Sequence, residues 1–216
     1  MSQSAKRVHE LRHSLALDHL SRVRDVATSS PEFRRHIRIL STLLAAEVTR
    51  DLPLAEGQVR TPLEVTLRHE LAVRVAIVPI LRAGLGMVDP LTDLIPDAEV
   101  WHLGLYRDEA TAQPVHYYDK LPPGNPPDVA IIVDPMLATG GSALMAVNAL
   151  RGWGVPRISV VSVISTPEGI ARLTEADPEL QVFTVSVDRG LNERHYIVPG
   201  LGDAGDRIFN TSPSAE

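Results

Sequence analysis

The chain has 216 residues, 44% hydrophobic and 22% charged, a composition that fits one folded domain over 1–216 and excludes a disordered or fibrous polypeptide. It contains no cysteine, which excludes disulfides, thiolate nucleophiles and cysteine-bound zinc. The net charge of −6 argues against nucleic acid or an anionic membrane as main partner; Lys6 and Lys120 are the only lysines, so Schiff-base chemistry has little to use and anions fall to arginine forks and backbone amides.

In chain order, the N-terminal segment 1–29 reads as polar and weakly helical. It has no apolar block of the signal-peptide type, and no stretch approaches the roughly 18 apolar residues of a bilayer span, so a cytoplasmic protein is expected. Ser30-Pro31-Glu32 reads as a helix start with Ser30 as N-cap. Phe33, Ile37, Leu40, Leu44 and Val48 follow at helical spacing, and Asp51-Leu52-Pro53 ends the helix. The mixed stretch 54–70 suggests a small hairpin arm, set within 50–70.

A strand–helix rhythm follows. Strands are predicted at Val73–Ile80, Val100–Tyr106, His116–Leu121, Val129–Val133, Ile158–Ile164 and Val182–Val187. Helices are predicted over 85–95, Ser142–Trp153 and Pro167–Ala176. Continuous apolar strands alternating with helices imply an α/β fold, a mainly parallel sheet with helices on both faces. The tail from Asp188, rich in Gly, Asp and Asn, reads as ordered loop rather than core. Trp101 and Trp153 read as core residues, and the eight histidines show no metal-binding spacing.

The segment Ile131–Ser142 carries the strongest chemical signal. It runs from an apolar strand to an acid at the strand's end, then through a turn of small residues into a helix. Open α/β sheets bind ligands beyond the carboxyl ends of their strands. Small side chains let backbone N–H groups approach a phosphate, the helix presents its positive end, Thr139 and Ser142 add hydroxyls, and Asp134 can accept from sugar hydroxyls. The same pattern also suits a purely structural strand–helix turn. Val78–Gly86 likewise leaves a strand and places Arg82 among small residues, either as a surface charge or as half of a pyrophosphate clamp. Gly200-Leu201-Gly202-Asp203-Ala204-Gly205 matches a dinucleotide-binding pattern, but too few residues follow it to form a strand–helix–strand unit of about 30 residues.

These segments resemble the uracil phosphoribosyltransferases, of the type I phosphoribosyltransferase fold. Asp134–Ser142 (DPMLATGGS) resembles their loop for phosphoribosyl pyrophosphate (PRPP), with Asp134 followed by Pro135 rather than by a second acid. Val78–Asp89 resembles the pyrophosphate-side loop, Tyr106–Tyr118 the hood (107–120), and Tyr196–Phe209 part of the uracil-binding tail (188–216). The resemblance runs from roughly residue 30 to the end. His195 and Asn210 stand where the family usually or often has glycine; Ser14 replaces a usual Pro, and Asp18-His19 a usual His-Lys.

The resemblance implies that uracil and PRPP form UMP and pyrophosphate. Asp134, Arg82, Arg107 and Asp203 would be the catalytic set. Arg82 and Arg107 would hold the pyrophosphate and phosphates. Asp134, Pro135, Met136, Leu137, Ala138, Thr139, Gly140, Gly141 and Ser142 would hold the ribose 5′-phosphate and hydroxyls. Tyr196, Ile197, Gly202, Asp203 and Ala204 would read uracil, with Asp203 also facing the donor. Mg²⁺ is expected on the donor's own oxygens without protein ligands, and a homodimer or homotetramer is expected; some bacterial members also bind GTP. The alternative is a regulator of the same fold that senses UMP or PRPP and binds RNA, for which the sequence lacks a basic surface.

Overall fold

Apolar strands pair side by side with alternate residues facing opposite layers. The computed structural model describes residues 7–107, 114–118, 121–122 and 124–211, with the backbone alone for 104–107 and 114–118. Its elements in chain order are β1 (Val8–Glu10), α1 (Ser14–Arg24), α2 (Ser30–Val48), β2 (Leu54–Arg60), β3 (Val65–Leu71), β4 (Val75–Pro79), a 3-10 turn (Ala83–Met87), α3 (Val88–Leu94) and β5 (Glu99–Val100). There follow β6 (Gly104–Arg107), β7 (Pro114–Tyr118), β8 (Val129–Val133), β9 (Met136–Leu137), α4 (Gly141–Trp153), β10 (Arg157–Ser165), α5 (Pro167–Ala176), β11 (Gln181–Val187), β12 (Gly190–Leu191), β13 (Ile197–Val198) and α6 (Ala204–Phe209).

The sheet runs β1-β11-β10-β8-β4-β5, parallel throughout, and β9 returns to pair with β10. Register places Ile77 beside Ile131 and Val78 beside Ile132. Ile77, Ile131 and Val161 face a layer formed by α1, α2, α3 and α6; Val78, Ile132 and Val160 face α4 and α5. A strand covered on both faces must be apolar at every position, which is why these runs are continuous. Phe33, Ile37, Leu40 and Leu44 line the inner face of α2 and are fully buried. Each such side chain contributes about 1.5–3 kcal/mol.

Several expectations needed correction. The N-cap of α2 is Ser29, whose N–H and hydroxyl donate to the Glu32 carboxylate; Ser30 is the first helical residue, and its hydroxyl donates to the Arg207 carbonyl at 2.7 Å. The N-terminal segment supplies an edge strand, β1, and a packed helix, α1, with Ala16, Leu20 and Val23 buried. Val100–Tyr106 is not one strand: β5 belongs to the main sheet, whereas β6 pairs with β7 in a separate hairpin. The tail is more than loop, since α6 buries Ala204 and Ile208 in the core. The arm is the β2–β3 hairpin, with Leu54, Val65, Leu67 and Leu71 exposed. Trp101 and Trp153 meet edge to face at 5.4 Å and are only partly buried.

Candidate active site

Adjacent strands bring the two loops together. β4 and β8 are neighbours, with Pro79 beside Val133, so 80–87 and 134–142 leave the sheet at the same edge. The Ile80 N–H donates to the Val133 carbonyl at 3.0 Å. A Cβ at Gly84 would lie 2.4 Å from the same oxygen, so the 80–87 loop can lie this close only with glycine there. The Leu81–Arg82 peptide is cis.

Asp134 follows β8 directly, and its carboxylate accepts from the Met136 N–H at 3.2 Å. Burial pushes its pKa up to about 7; the negative Asp203 adds to the rise and the Met136 hydrogen bond opposes it. Asp203 caps α6, accepting from the Asp206 N–H at 2.9 Å. The end of β8 and the tail thus share one electrostatic environment.

The first turn of α5 braces the 134–142 loop from behind. The Thr166 hydroxyl donates to the Ala138 carbonyl at 2.7 Å, its N–H donates to the Leu137 carbonyl at 3.0 Å, and Arg172 reaches the Thr139 carbonyl at 3.4 Å. A Cβ on Gly169 would lie 2.3 Å from the Ala138 oxygen, and one on Gly140 would lie 2.9 Å from the Gly169 oxygen. Gly140, with φ of 73°, is the N-cap of α4. With the carbonyls of 137–139 held by α5, the positive end of α4, whose first-turn N–H groups lack acceptors within the helix, is the natural seat for a phosphate. Sequence reasoning read Pro167 as part of a helix start but did not connect Thr166 or Gly169 to this loop.

The tail curls over the same end. Ile197 is buried and Tyr196 half exposed. The Val198–Pro199 peptide is cis, and Gly200 and Gly202 adopt φ of 67° and 78°. A cavity of about 490 Å³ opens between Thr28, Ser30, Tyr196, Asp203, Asp206 and Arg207. Arg82 donates to the Asp206 carboxylate at 3.2 Å, joining the 80–87 loop to the tail. Asp134, Arg82, Asp203 and the small-residue loop therefore converge. Arg107 lies at the end of β6, and its side chain is outside the described residues, as are 108–113 of the hood.

The two tail departures share one geometry. His195 has φ of 60° and Asn210 φ of 55°, both in the left-handed region that glycine enters freely. An Asx turn supports the first, since Asn192 Oδ1 accepts from the Arg194 and Tyr196 N–H groups at 3.0 and 2.9 Å. Behind it, Asp188 is buried and paired with Arg24. Burial alone would raise the Asp188 pKa, but Arg24, the Gly200 N–H and Ser186 hold it below the usual carboxylate range. This pairing was missed because the N-terminal segment carried no recognised motif.

Among the described residues no three His, Asp or Glu side chains are grouped to cage a metal ion. No helix of the described residues is long and apolar enough to cross a membrane.

The family model described as uracil phosphoribosyltransferase matches residues 10–211. A uracil phosphoribosyltransferase of Roseiflexus castenholzii is 52% identical over 206 residues, covering 95% of this chain and 99% of the relative. One from Streptococcus pneumoniae serotype 4 is 48% identical over 206 residues, with the same coverage. The solved structure of AQ2163 protein from Aquifex aeolicus superposes with a TM-score of 0.89 at 35% identity, covering 95% of this chain and 99% of that one. An adenine phosphoribosyltransferase from Leishmania donovani, at 15% identity and a TM-score of 0.52 over 87% of this chain and 86% of that one, shares the fold.

Proposed function

We propose a division of labour within this site that starts from one premise: the chain belongs to the uracil phosphoribosyltransferase family, whose reaction converts uracil and PRPP to UMP and pyrophosphate. The 134–142 loop and the N-terminus of α4 bind the ribose 5′-phosphate. Asp134 accepts from the ribose hydroxyls and, ionised, offsets the positive charge that grows on the sugar as its bond to pyrophosphate breaks. Arg82 and Arg107 hold the departing pyrophosphate. Uracil N1 attacks the opposite face of the anomeric carbon and loses its proton to Asp203. Tyr196, Ile197, Gly202, Asp203 and Ala204 read the base.

Mg²⁺ carried by the donor would fit this acidic site and would supply charge neutralisation at the pyrophosphate. Asp134 and Asp203 are the chain's residues placed to face it. Holding donor and base together in line, away from water, supplies much of the acceleration. The exposed apolar side chains of the β2–β3 arm support assembly into a dimer or tetramer.

The observation that carries this reading is geometric: β4 and β8 set the Arg82 loop beside the Asp134 loop, and Arg82 bonds Asp206 on α6 at 3.2 Å. The test is incubation with labelled uracil, PRPP and MgCl₂. Labelled UMP is expected from the native chain, and Asp134→Asn should form it about 10²–10³-fold more slowly. A folded native chain that forms no UMP refutes the reading.

A further inference from the structure

We propose that Arg24 and Arg207 are positioning residues for the base, so that the N-terminal segment forms part of the uracil site's scaffold. The proposal rests on reading 196–205 as that site. Arg24, at the end of α1, donates through Nη1 to the Gly200 carbonyl and to Asp188 Oδ2, both at 2.8 Å, and through Nη2 to Asp188 Oδ1 at 2.5 Å. Asp188 Oδ2 in turn accepts from the Gly200 N–H at 2.9 Å. Both backbone polar atoms of Gly200 are thereby held. Arg207, from α6, donates to the next carbonyl, that of Leu201, at 2.7 Å. Its guanidinium also reaches the carbonyls of Val23 and of Asp25, the latter at 2.7 Å, and lies 4.2 Å from the centre of the Phe33 ring.

The consequence follows from peptide planarity. In a trans peptide the carbonyl and the following N–H lie in one rigid plane and point in opposite directions. Fixing the Gly200 oxygen therefore fixes the Leu201 N–H, and fixing the Leu201 oxygen fixes the Gly202 N–H. Gly200 and Gly202 bring wide backbone freedom, and without an outside hold the intervening peptide groups could rotate. Arg24 and Arg207 remove that freedom by holding the two carbonyls. A base read by backbone groups needs those directions set before it arrives.

Lysine can keep the charge at either position but not the fork, because it carries a single ammonium. Arg24→Lys and Arg207→Lys, assayed well below their own melting temperatures, should each raise KM for uracil about tenfold or more, the size of one hydrogen bond to a charged group. KM for PRPP should stay within about twofold, and preference for uracil over cytosine should fall with the same step. Two positions on different helices keep the test usable if one variant folds poorly. KM values that move together, or not at all, overturn the proposal. Gly202→Ala separates the underlying reading: if it leaves uracil KM and base preference unchanged, 196–205 is not the base site. If it shifts both while the lysine variants do not, the base site stands and the positioning role falls.

Discussion

Arg82, after β4, and Asp206, on α6, meet at 3.2 Å across 124 residues of sequence. With the Arg82 side chain 61% exposed, the pair contributes about 1 kcal/mol at most. It is therefore weak enough to open when pyrophosphate offers two oxygens to the same fork. Asp206→Asn should leave the melting temperature nearly unchanged and tighten PRPP binding by at most about fivefold. Arg82→Lys should weaken it about tenfold or more, because a point charge cannot replace a two-point grip. Titration with PRPP in the absence of uracil reads both, and an unchanged affinity in Arg82→Lys would remove that residue from the donor site.

Asp134 sets function against stability. Its pKa in the folded protein is pushed up to about 7, above the unfolded value, so between about pH 4 and 7 the folded state holds a proton that the unfolded state releases. Stability from this group is thus full at low pH and lost as pH rises through 7, with about 4 kcal/mol as a ceiling. Asp134→Asn should melt at higher temperature than the native chain at pH 8, with the gap closing toward pH 4, while turnover falls. Melting curves at the two pH values check this; an Asn variant that is less stable at pH 8 contradicts it.

His195 is exposed at φ of 60°, where a side chain crowds the following carbonyl. His195→Gly should stabilise the protein by about 0.5–1 kcal/mol, or about 1–3 °C, without changing kcat. Asn210→Gly should gain less, since asparagine enters this region more readily. Thermal melts of the two variants decide, and a loss of stability in His195→Gly would mean that its side chain makes a favourable contact.

Gly169 fixes the donor loop through space alone. A Cβ there would lie 2.3 Å from the Ala138 oxygen and 3.1 Å from the Leu137 oxygen, both backbone atoms, so the 134–142 loop or α5 must shift. Gly169→Ala should cost about 1–3 kcal/mol by overpacking and weaken PRPP binding more than uracil binding. Urea unfolding and separate ligand titrations test the two parts; unchanged PRPP affinity would show that the loop tolerates the shift.

These residues also show how far the sequence could be read. Val129–Val133 was legible as a strand because burial on both faces leaves no polar position. Phe33 to Val48 was legible because one helix face alone is buried. β1 was not, since Val8-His9-Glu10 carries no pattern of its own and is a strand only because β11 offers an edge. The donor loop stood out because its acid, small residues and helix are contiguous. Thr166 and Arg24 did not, because their partners lie 28 and 164 residues away. A Cβ on Gly202 would meet Arg207 Cδ at 3.5 Å, an ordinary contact, whereas its φ of 78° is one that side chains rarely adopt. Gly202→Val is therefore expected to act through backbone strain.

The most direct measurement is the ratio of kcat/KM for uracil to that for cytosine, with saturating PRPP and Mg²⁺. On the proposed reading, backbone groups at 197–204 meet O4, N3 and O2 of the base with a fixed order of donors and acceptors. Replacing O4 by an amino group sets donor against donor and leaves a buried polar group unmatched. The expected ratio is roughly 10⁴ or more, with 5-fluorouracil, which keeps the uracil edge, accepted as a substrate. Cytosine used as readily as uracil would contradict the claim that the tail reads the base.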